Sequence, residues 1–109
     1  MDWYKVCEAN ELQVGDVVKA EVAGHEIALF HLNDGFYATQ DLCTHAVASL
    51  ADGYVEDDMV ECPLHAAKFC IRTGAAKCLP ASVPLKIYPI RLQNTDVYVG
   101  VGEQEEVAQ

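Results

Sequence analysis

The chain has 109 residues, the size of one ordinary domain with a single hydrophobic core. Its 7 basic and 17 acidic residues give a net charge of −10 with histidine neutral. Such a charge opposes binding to phosphate backbones and anionic lipid, so we expect no nucleic-acid or membrane partner. The chain shows no export signal and no run of about 18 apolar residues, so we expect a cytoplasmic protein.

A β-hairpin is predicted near the start of the chain. The runs "DVVKAEV" and "HEIALFHL", which contain β-branched and aromatic residues, are separated only by the turn pair "AG". Because side chains alternate along a strand, Ile27 and Leu29 should face one way. Ala28, Phe30 and Leu32 should face the other. The second strand therefore has apolar residues on both of its faces.

Five further runs, "GFYAT", "DMVE", "AKFCIR", "LKIYPIRL" and "DVYVGV", predict more strands between recurrent turn signals. Pro89 cannot donate a ladder hydrogen bond, so its strand should be an edge strand or carry a bulge. No window has a convincing helical period. We therefore predict an all-β fold, a small antiparallel sandwich or barrel, as a single domain over residues 1–109 with a frayed tail at 102–109.

The candidate metal ligands lie in the two longest irregular stretches, which contain "CTH" and "CPLH". Cys43 and His45 are two positions apart, and Cys62 and His65 are three apart. Two thiolates and two imidazoles suit tetrahedral zinc, or an iron–sulfur cluster in which histidines replace two cysteines on one iron. The ligand set alone does not choose between them. The mixing of sulfur and nitrogen in each pair favours the dinuclear cluster, since zinc fingers usually group their cysteines in one pair and their histidines in the other.

The stretches "CTHAVASLADG" and "ECPLHAAKFCIRTGAAKCLP" resemble the C-x-H and C-x-x-H loops of Rieske 2Fe-2S proteins. The resemblance implies a Rieske-like fold whose cluster-binding subdomain is formed by two loops within about residues 42–80. It also implies that Cys43 and Cys62 bind one iron of a 2Fe-2S cluster, and that His45 and His65 bind the other.

Four positions indicate which branch of the family the chain resembles. High-potential Rieske proteins carry a disulfide between the loops, and a serine and a tyrosine that donate hydrogen bonds toward the cluster sulfurs. The corresponding residues here are Ala48, Leu64, Ala67 and Phe69. None of them can form the disulfide or donate. The resemblance therefore implies a potential toward the low end of the Rieske range of roughly −150 to +300 mV.

The function implied by the resemblance is that of a Rieske-type ferredoxin, a one-electron carrier and not an enzyme. The chain resembles the ferredoxin component of bacterial aromatic-ring-hydroxylating dioxygenase systems. Its expected partners are a flavin-containing NAD(P)H reductase and a terminal Rieske oxygenase, which it would meet as a monomer. Two alternatives remain open: a structural zinc-binding interaction module, and a domain like the small subunit of nitrite reductase.

Several other residues are expected to be structural. Cys7, Cys70 and Cys78 are predicted to pack as small hydrophobic side chains, with Cys70 beneath the metal site. His25 and His31 lie outside the two loops and are not predicted to be ligands.

Three more residues concern the loops themselves. Gly53 and Gly74 are expected at turns that require positive φ. Pro80 resembles the proline of a third loop that covers the cluster in Rieske proteins, and an ordinary loop proline is the competing interpretation.

Overall fold

The computed structural model describes residues 1–44, 47–64, 66–78 and 83–102, with only the backbone described at Cys78. Within these ranges the strands are β1 (Asp2–Glu8), β2 (Val17–Val22), β3 (His25–Leu32), β4 (Gly35–Gln40), β5 (Tyr54–Glu56), β6 (Met59–Glu61), β7 (Lys68–Cys70), β8 (Ala76–Cys78), β9 (Ile87–Tyr88), β10 (Ile90–Gln93) and β11 (Asp96–Val101). The helical elements in the same ranges are two 3₁₀ turns, Ala9–Glu11 and Leu50–Asp52. The all-β prediction is confirmed.

The strands form three antiparallel sheets. Their orders are β1-β11-β10, β2-β3-β4-β9 and β5-β6-β7-β8. The first two sheets together form the base of the molecule. The third sheet is built from short strands, and its connections carry both candidate loops.

Strand β3 separates two hydrophobic cores. Ile27 and Leu29 are fully buried in the core shared with β11, whereas Ala28 and Phe30 are fully buried in the core shared with β6 and β7. The predicted alternation of this strand is confirmed. Each buried large side chain contributes about 1.5–3 kcal/mol to folding, so β3 attaches the third sheet firmly to the base.

The predicted hairpin between β2 and β3 is also confirmed. Val22 pairs with His25, leaving a two-residue turn. Ala23 and Gly24 have φ of 50° and 84°, the pair of positive values that a type I′ turn needs.

Pro89 divides what the sequence predicted as one strand. Residues before it form β9, at the edge of the β2-β3-β4-β9 sheet, and residues after it form β10, at the edge of the β1-β11-β10 sheet. The edge position is confirmed, but the continuous strand was wrong. Because proline has no N–H to donate, the hydrogen-bond ladder of β9 ends here and the chain begins a second ladder with β10.

The two glycines near the loops behave differently. Gly74 has φ of 81°, as predicted. Gly53 has φ of −86°, so the prediction of positive φ was wrong. A Cβ on Gly53 would overlap the backbone carbonyl of Glu61, so the position requires glycine for close approach of two backbone segments.

Candidate metal centre

The candidate site lies where a loop leading into the third sheet meets a loop within that sheet. The first loop connects β4 to β5 and carries Cys43, and the second connects β6 to β7 and carries Cys62. The two cysteines are only 3% and 1% exposed, and no disulfide joins them. Both pack in the hydrophobic core that includes Val60 and Phe69. The polar ends of two thiols are therefore held inside an apolar core.

Each of the two loops is closed by a backbone hydrogen bond, and the two bonds have the same spacing. The N–H of Cys43 donates to the carbonyl of Ala48 at 3.0 Å, and the N–H of Cys62 donates to the carbonyl of Ala67 at 2.7 Å. In each case the acceptor is five residues after the cysteine. The candidate histidines of the sequence fall inside these two closed segments, although they are not among the described residues.

The two thiols lie next to each other. Burial raises the pKa of the Cys62 thiol, the backbone of Leu64 acts in the opposite direction through a hydrogen bond, and the neighbouring Cys43 thiol raises it further. Two adjacent buried thiols form an unfavourable place for thiolate charge unless a cation lies there. The donor set therefore fits a metal group that neutralises the sulfurs.

Asp41 anchors the first loop and was not recognised from the sequence. Its carboxylate accepts the N–H of Ala51 at 2.9 Å, and its carbonyl accepts the N–H of Leu50 at 2.7 Å. Its own N–H donates to the carbonyl of Glu26 on β3 at 3.0 Å. The residue is 1% exposed. These bonds fix the two ends of the loop that holds Cys43. In the sequence, the one indication of this role is an acidic residue shortly before the cysteine loop.

A third segment lies against the first loop. The hydroxyl of Thr44 donates to the carbonyl of Val83 at 2.7 Å. The N–H of Leu85 donates to the carbonyl of Gly74 at 2.7 Å, which ties the same segment to the turn after β7. The predicted covering proline, Pro80, lies outside the described residues.

The two candidate nitrogen ligands, His45 and His65, also lie outside the described residues. Within the ranges that the structure does describe, no group of three or more histidine, cysteine or acidic side chains could hold a metal ion. The structure thus brings Cys43 and Cys62 together, and their pairing with the two histidines stays a prediction.

Apolar residues occupy the four positions that the sequence analysis compared with high-potential Rieske proteins. Ala67 and Phe69 are fully buried, and Ala48 packs against the same core. Leu64 is about half exposed. None of these four side chains has a hydrogen-bond donor.

The other cysteines have different environments. Burial would raise the pKa of Cys70, but hydrogen bonds from the hydroxyl and backbone of Thr73 and from the backbone of Arg72 lower it below its ordinary value. Cys70 is 8% exposed and lies outside the two core clusters. Cys7 is half-buried beside the second core, and Cys78 is described only as part of β8.

The remaining histidines have local partners. The Nδ1 atom of His25 lies 3.2 Å from the hydroxyl of Tyr88. The Nδ1 atom of His31 lies 2.6 Å from the carbonyl of Leu12, and its ring stacks on Phe36 with centroids 4.0 Å apart. Both contacts are structural.

Three segments that form or flank the two loops contain no charged residue. Residues 42–51, 62–67 and 78–85 contain no aspartate, glutamate, lysine or arginine. Within the described parts of these segments, the exposed large hydrophobic side chains are Leu42, Val47, Leu64 and Val83. We call them the apolar rim. Val47 is the most exposed of the four, at 90%.

Comparison with known proteins decides the family. Residues 2–89 match the model of the Rieske [2Fe-2S] domain. The chain belongs to the Rieske family. It is 48% identical to the 3-phenylpropionate/cinnamic acid dioxygenase ferredoxin subunit of Photorhabdus laumondii, over 92% of this chain and 95% of that protein. It is 46% identical to the ferredoxin component of biphenyl 2,3-dioxygenase of Rhodococcus jostii, over 87% of this chain and 89% of that protein.

A solved structure gives the same result. The fold matches a chain of the complex of reduced oxygenase and oxidised ferredoxin in carbazole 1,9a-dioxygenase, with a TM-score of 0.86 and 37% identity over 90% of this chain and 92% of that chain. The Rieske protein described here is therefore an electron carrier of the ferredoxin type, not a catalytic subunit, and its cofactor is a 2Fe-2S cluster. The zinc alternative is set aside by this family assignment.

No helix among the described residues is long and apolar enough to cross a membrane.

Proposed function

We propose that Cys43 and Cys62 bind one iron through sulfur, and that His45 and His65 bind the other through nitrogen. The observation that supports this most is the pair of adjacent, buried thiols on two loops closed in the same way. To bind, the thiols must lose their protons and the imidazoles must be neutral. When bound, the cluster accepts and releases one electron at a time.

The chain's own side chains favour a low potential at this site. Ala48, Ala67 and Phe69 surround the thiols with apolar atoms and offer no donor to sulfur. Side-chain hydrogen bonds to the sulfurs would stabilise the more negative reduced state, so the lack of side-chain donors at these positions lowers the potential. We propose a value toward the low end of the family's range, suited to giving electrons away.

The proposed role is to carry electrons from a flavin-containing NAD(P)H reductase to the terminal oxygenase of an aromatic-ring dioxygenase. The named relatives are ferredoxin components of biphenyl and phenylpropionate dioxygenases, and the matched carbazole dioxygenase complex contains an oxygenase with its ferredoxin. These relatives indicate that the substrate of the oxygenase is an aromatic compound. The carrier itself does not bind that substrate.

The partners are proposed to dock on the apolar rim, next to the cluster loops. Partners that exchange electrons in turn must both come close to the cofactor, and the segments that carry the rim contain no charged residue of their own to desolvate. We propose a cytoplasmic monomer consisting of one domain over residues 1–109, with its cluster loops within residues 42–80. The tail at 102–109, proposed to be frayed, lies outside the described residues from 103 onward.

Metal analysis tests the proposal. Purified protein should contain close to two irons and two acid-labile sulfides per chain. Cys62→Ser should remove or convert the cluster, whereas Cys70→Ser should retain it, because a serine hydroxyl can still accept the hydrogen bonds at that position. One zinc per chain in the unaltered protein, or loss of iron in Cys70→Ser, would contradict the ligand assignment.

A further inference from the structure

Gln40, the last residue of β4, is bound to three different backbone groups. Its N–H donates to the carbonyl of Lys86 at 2.8 Å, and its side-chain Oε1 accepts the N–H of Lys86 at 2.7 Å. Its side-chain Nε2 donates to the carbonyl of Leu42 at 2.6 Å. One amide side chain thus joins the first loop to the segment that follows the third loop.

The contact with Leu42 acts on the peptide group that enters Cys43. The carbonyl of the Leu42–Cys43 peptide accepts from Gln40, and the N–H of the same peptide donates to Ala48 at 3.0 Å. A planar peptide held at both ends has a fixed orientation. Because this plane determines where the Cα–Cβ bond of Cys43 points, its orientation determines where the sulfur lies.

We propose that the side-chain amide of Gln40 is a positioning group for Cys43, and that its bond to the Leu42 carbonyl sets how tightly the cluster is retained and at what potential it is reduced. This inference rests on the proposed ligand role of Cys43. Among the described residues, Gln40 hydrogen-bonds to Leu42 and Lys86, and it acts on Cys43 through the Leu42–Cys43 peptide.

The direction of both effects follows from the contact. Without the amide donor, the Leu42 carbonyl loses a partner and the peptide can rotate, so Cys43 spends less time in binding geometry. Outer partners of this kind change metal affinity by about 10–100-fold when they are removed. An uncompensated carbonyl dipole also makes the surroundings of the sulfur more negative, which disfavours the reduced state and lowers the potential.

The test compares variants of Gln40 in the complete, cluster-loaded protein. Gln40→Met keeps the length of the side chain and removes both of its hydrogen bonds. Gln40→Lys keeps an N–H donor for Leu42 and removes the acceptor for Lys86. Gln93→Met, the same change at the end of strand β10 in another sheet, serves as the matched control.

Three quantities are measured: the rate of iron release to a chelator, the reduction potential and the electron paramagnetic resonance spectrum of the reduced protein. Gln40→Met should release iron about tenfold faster, with a lower potential and altered g values. Gln40→Lys should release iron within about threefold of the unaltered rate, because the donor to Leu42 is retained. Gln93→Met should match the unaltered protein in all three quantities.

The inference is wrong if Gln40→Met leaves release, potential and spectrum unchanged, even if it lowers overall stability. It is also wrong if Gln40→Lys releases iron as fast as Gln40→Met, since the bond to Lys86 would then matter instead. If Gln40→Met does not fold, Gln40→Glu removes the donor with little change of shape and must still release iron faster. Unaltered protein without iron and sulfide would instead refute the proposed function.

Discussion

Ala66 has an unusual backbone conformation beside the proposed ligand His65. Its φ is 59°, in the left-handed region that glycine adopts without penalty and alanine does not. The residue lies inside the segment closed by the bond from Cys62 to Ala67. The strain is therefore located in the loop that holds two of the four proposed ligands.

Ala66→Gly should stabilise the protein by about 0.5–1 kcal/mol, because removing the Cβ relieves the left-handed strain. The free energy of unfolding in urea, measured anaerobically, checks this. Ala75→Gly is the control, since Ala75 is not among the residues with positive φ. That variant should lose about 0.5–1 kcal/mol. A loss of stability in Ala66→Gly would contradict the account of this loop.

At the scale of elements, the end of the first loop lies against the strand that leads into Cys62. Gly53 directly precedes β5, and its missing Cβ allows the chain to approach the carbonyl of Glu61. Tyr54 pairs with the same Glu61 in the β5–β6 ladder. The close approach holds the two loops side by side.

Gly53→Ala should destabilise the protein by about 2 kcal/mol, because the methyl group must push two backbone segments apart. Gly24→Ala in the β2–β3 turn is the comparison: its φ is 84°, but no atom lies within 4 Å of the added Cβ. It should lose about 1 kcal/mol through backbone strain alone. Urea unfolding measures both. Equal losses, or faster iron release in Gly24→Ala than in Gly53→Ala, would contradict the role given to Gly53.

Arg72 connects two turns from different sheets. Its Nη1 lies 2.8 Å from Asp58 in the β5–β6 turn, and its Nε lies 3.2 Å from Asp34 in the β3–β4 turn. The guanidinium also lies 5.6 Å from the centre of the Tyr37 ring. The hydrogen bond from Arg72 lowers the pKa of Asp34 below its ordinary value. Arg72 therefore ties the third sheet to the base.

The Arg72 contact should make stability depend on pH in a defined window. Because the folded-state pKa of Asp34 is lowered, its contribution is present above the unfolded pKa of about 3.9 and is lost as the pH falls through the lower folded value. The difference in unfolding free energy between unaltered protein and Arg72→Met should thus be constant above about pH 5 and narrow below about pH 4. Arg91→Met is the control, since Arg91 stacks on the Trp3 ring. A difference that does not change between pH 5 and pH 3 would contradict the pairing.

At the scale of the whole molecule, the charged residues lie outside the three segments that carry the proposed docking surface. The chain carries a net charge of −10, yet the three segments around the cluster loops carry no charged side chain. The acidic body steers the carrier at long range, and its effect weakens as salt screens it. In the proposed docking, the apolar rim then makes the close contact.

Val47→Asp should raise the apparent KM of the oxygenase for this ferredoxin by at least about tenfold, because an unpaired charge desolvated in an interface costs about 2 kcal/mol or more. Val14→Asp is the control, because Val14 is also exposed but lies outside the apolar rim. Steady-state oxygenation with varied ferredoxin measures the effect. An equal rise in KM for both variants would place the docking surface elsewhere.

Patterns that depend on neighbouring residues predicted much of the fold. The alternation along β3, the "AG" hairpin and the edge position of Pro89 are local features, and each is confirmed. Strands β5 and β8 were not predicted. They have three residues each and become strands only through pairing with β6 and β7, which no short window of sequence reveals.

The candidate site also contains some residues that the sequence predicts and others that it does not. Cys43 and Cys62 could be identified from the sequence, because metal ligands are limited to a few residue types with typical spacings. The structure places their thiols next to each other. Three other residues support these loops through backbone groups. Asp41 and Gln40 form hydrogen bonds with backbone groups, and Gly53 allows a backbone carbonyl to approach closely. Residue type alone does not predict these roles for Gly53 and Gln40, and for Asp41 the sequence offers only an acidic residue shortly before the cysteine loop, so the three-dimensional arrangement is needed to identify them.

The most direct test of the central claim is to count the histidine nitrogens coupled to the reduced cluster. Protein labelled with ¹⁵N only in histidine is examined by electron–nuclear double resonance. Two strongly coupled nitrogens are expected, and either His45→Ala or His65→Ala should leave at most one. His25→Ala and His31→Ala should leave both. No coupled nitrogen in the unaltered protein, or loss of a coupling in His25→Ala or His31→Ala, would contradict the assignment.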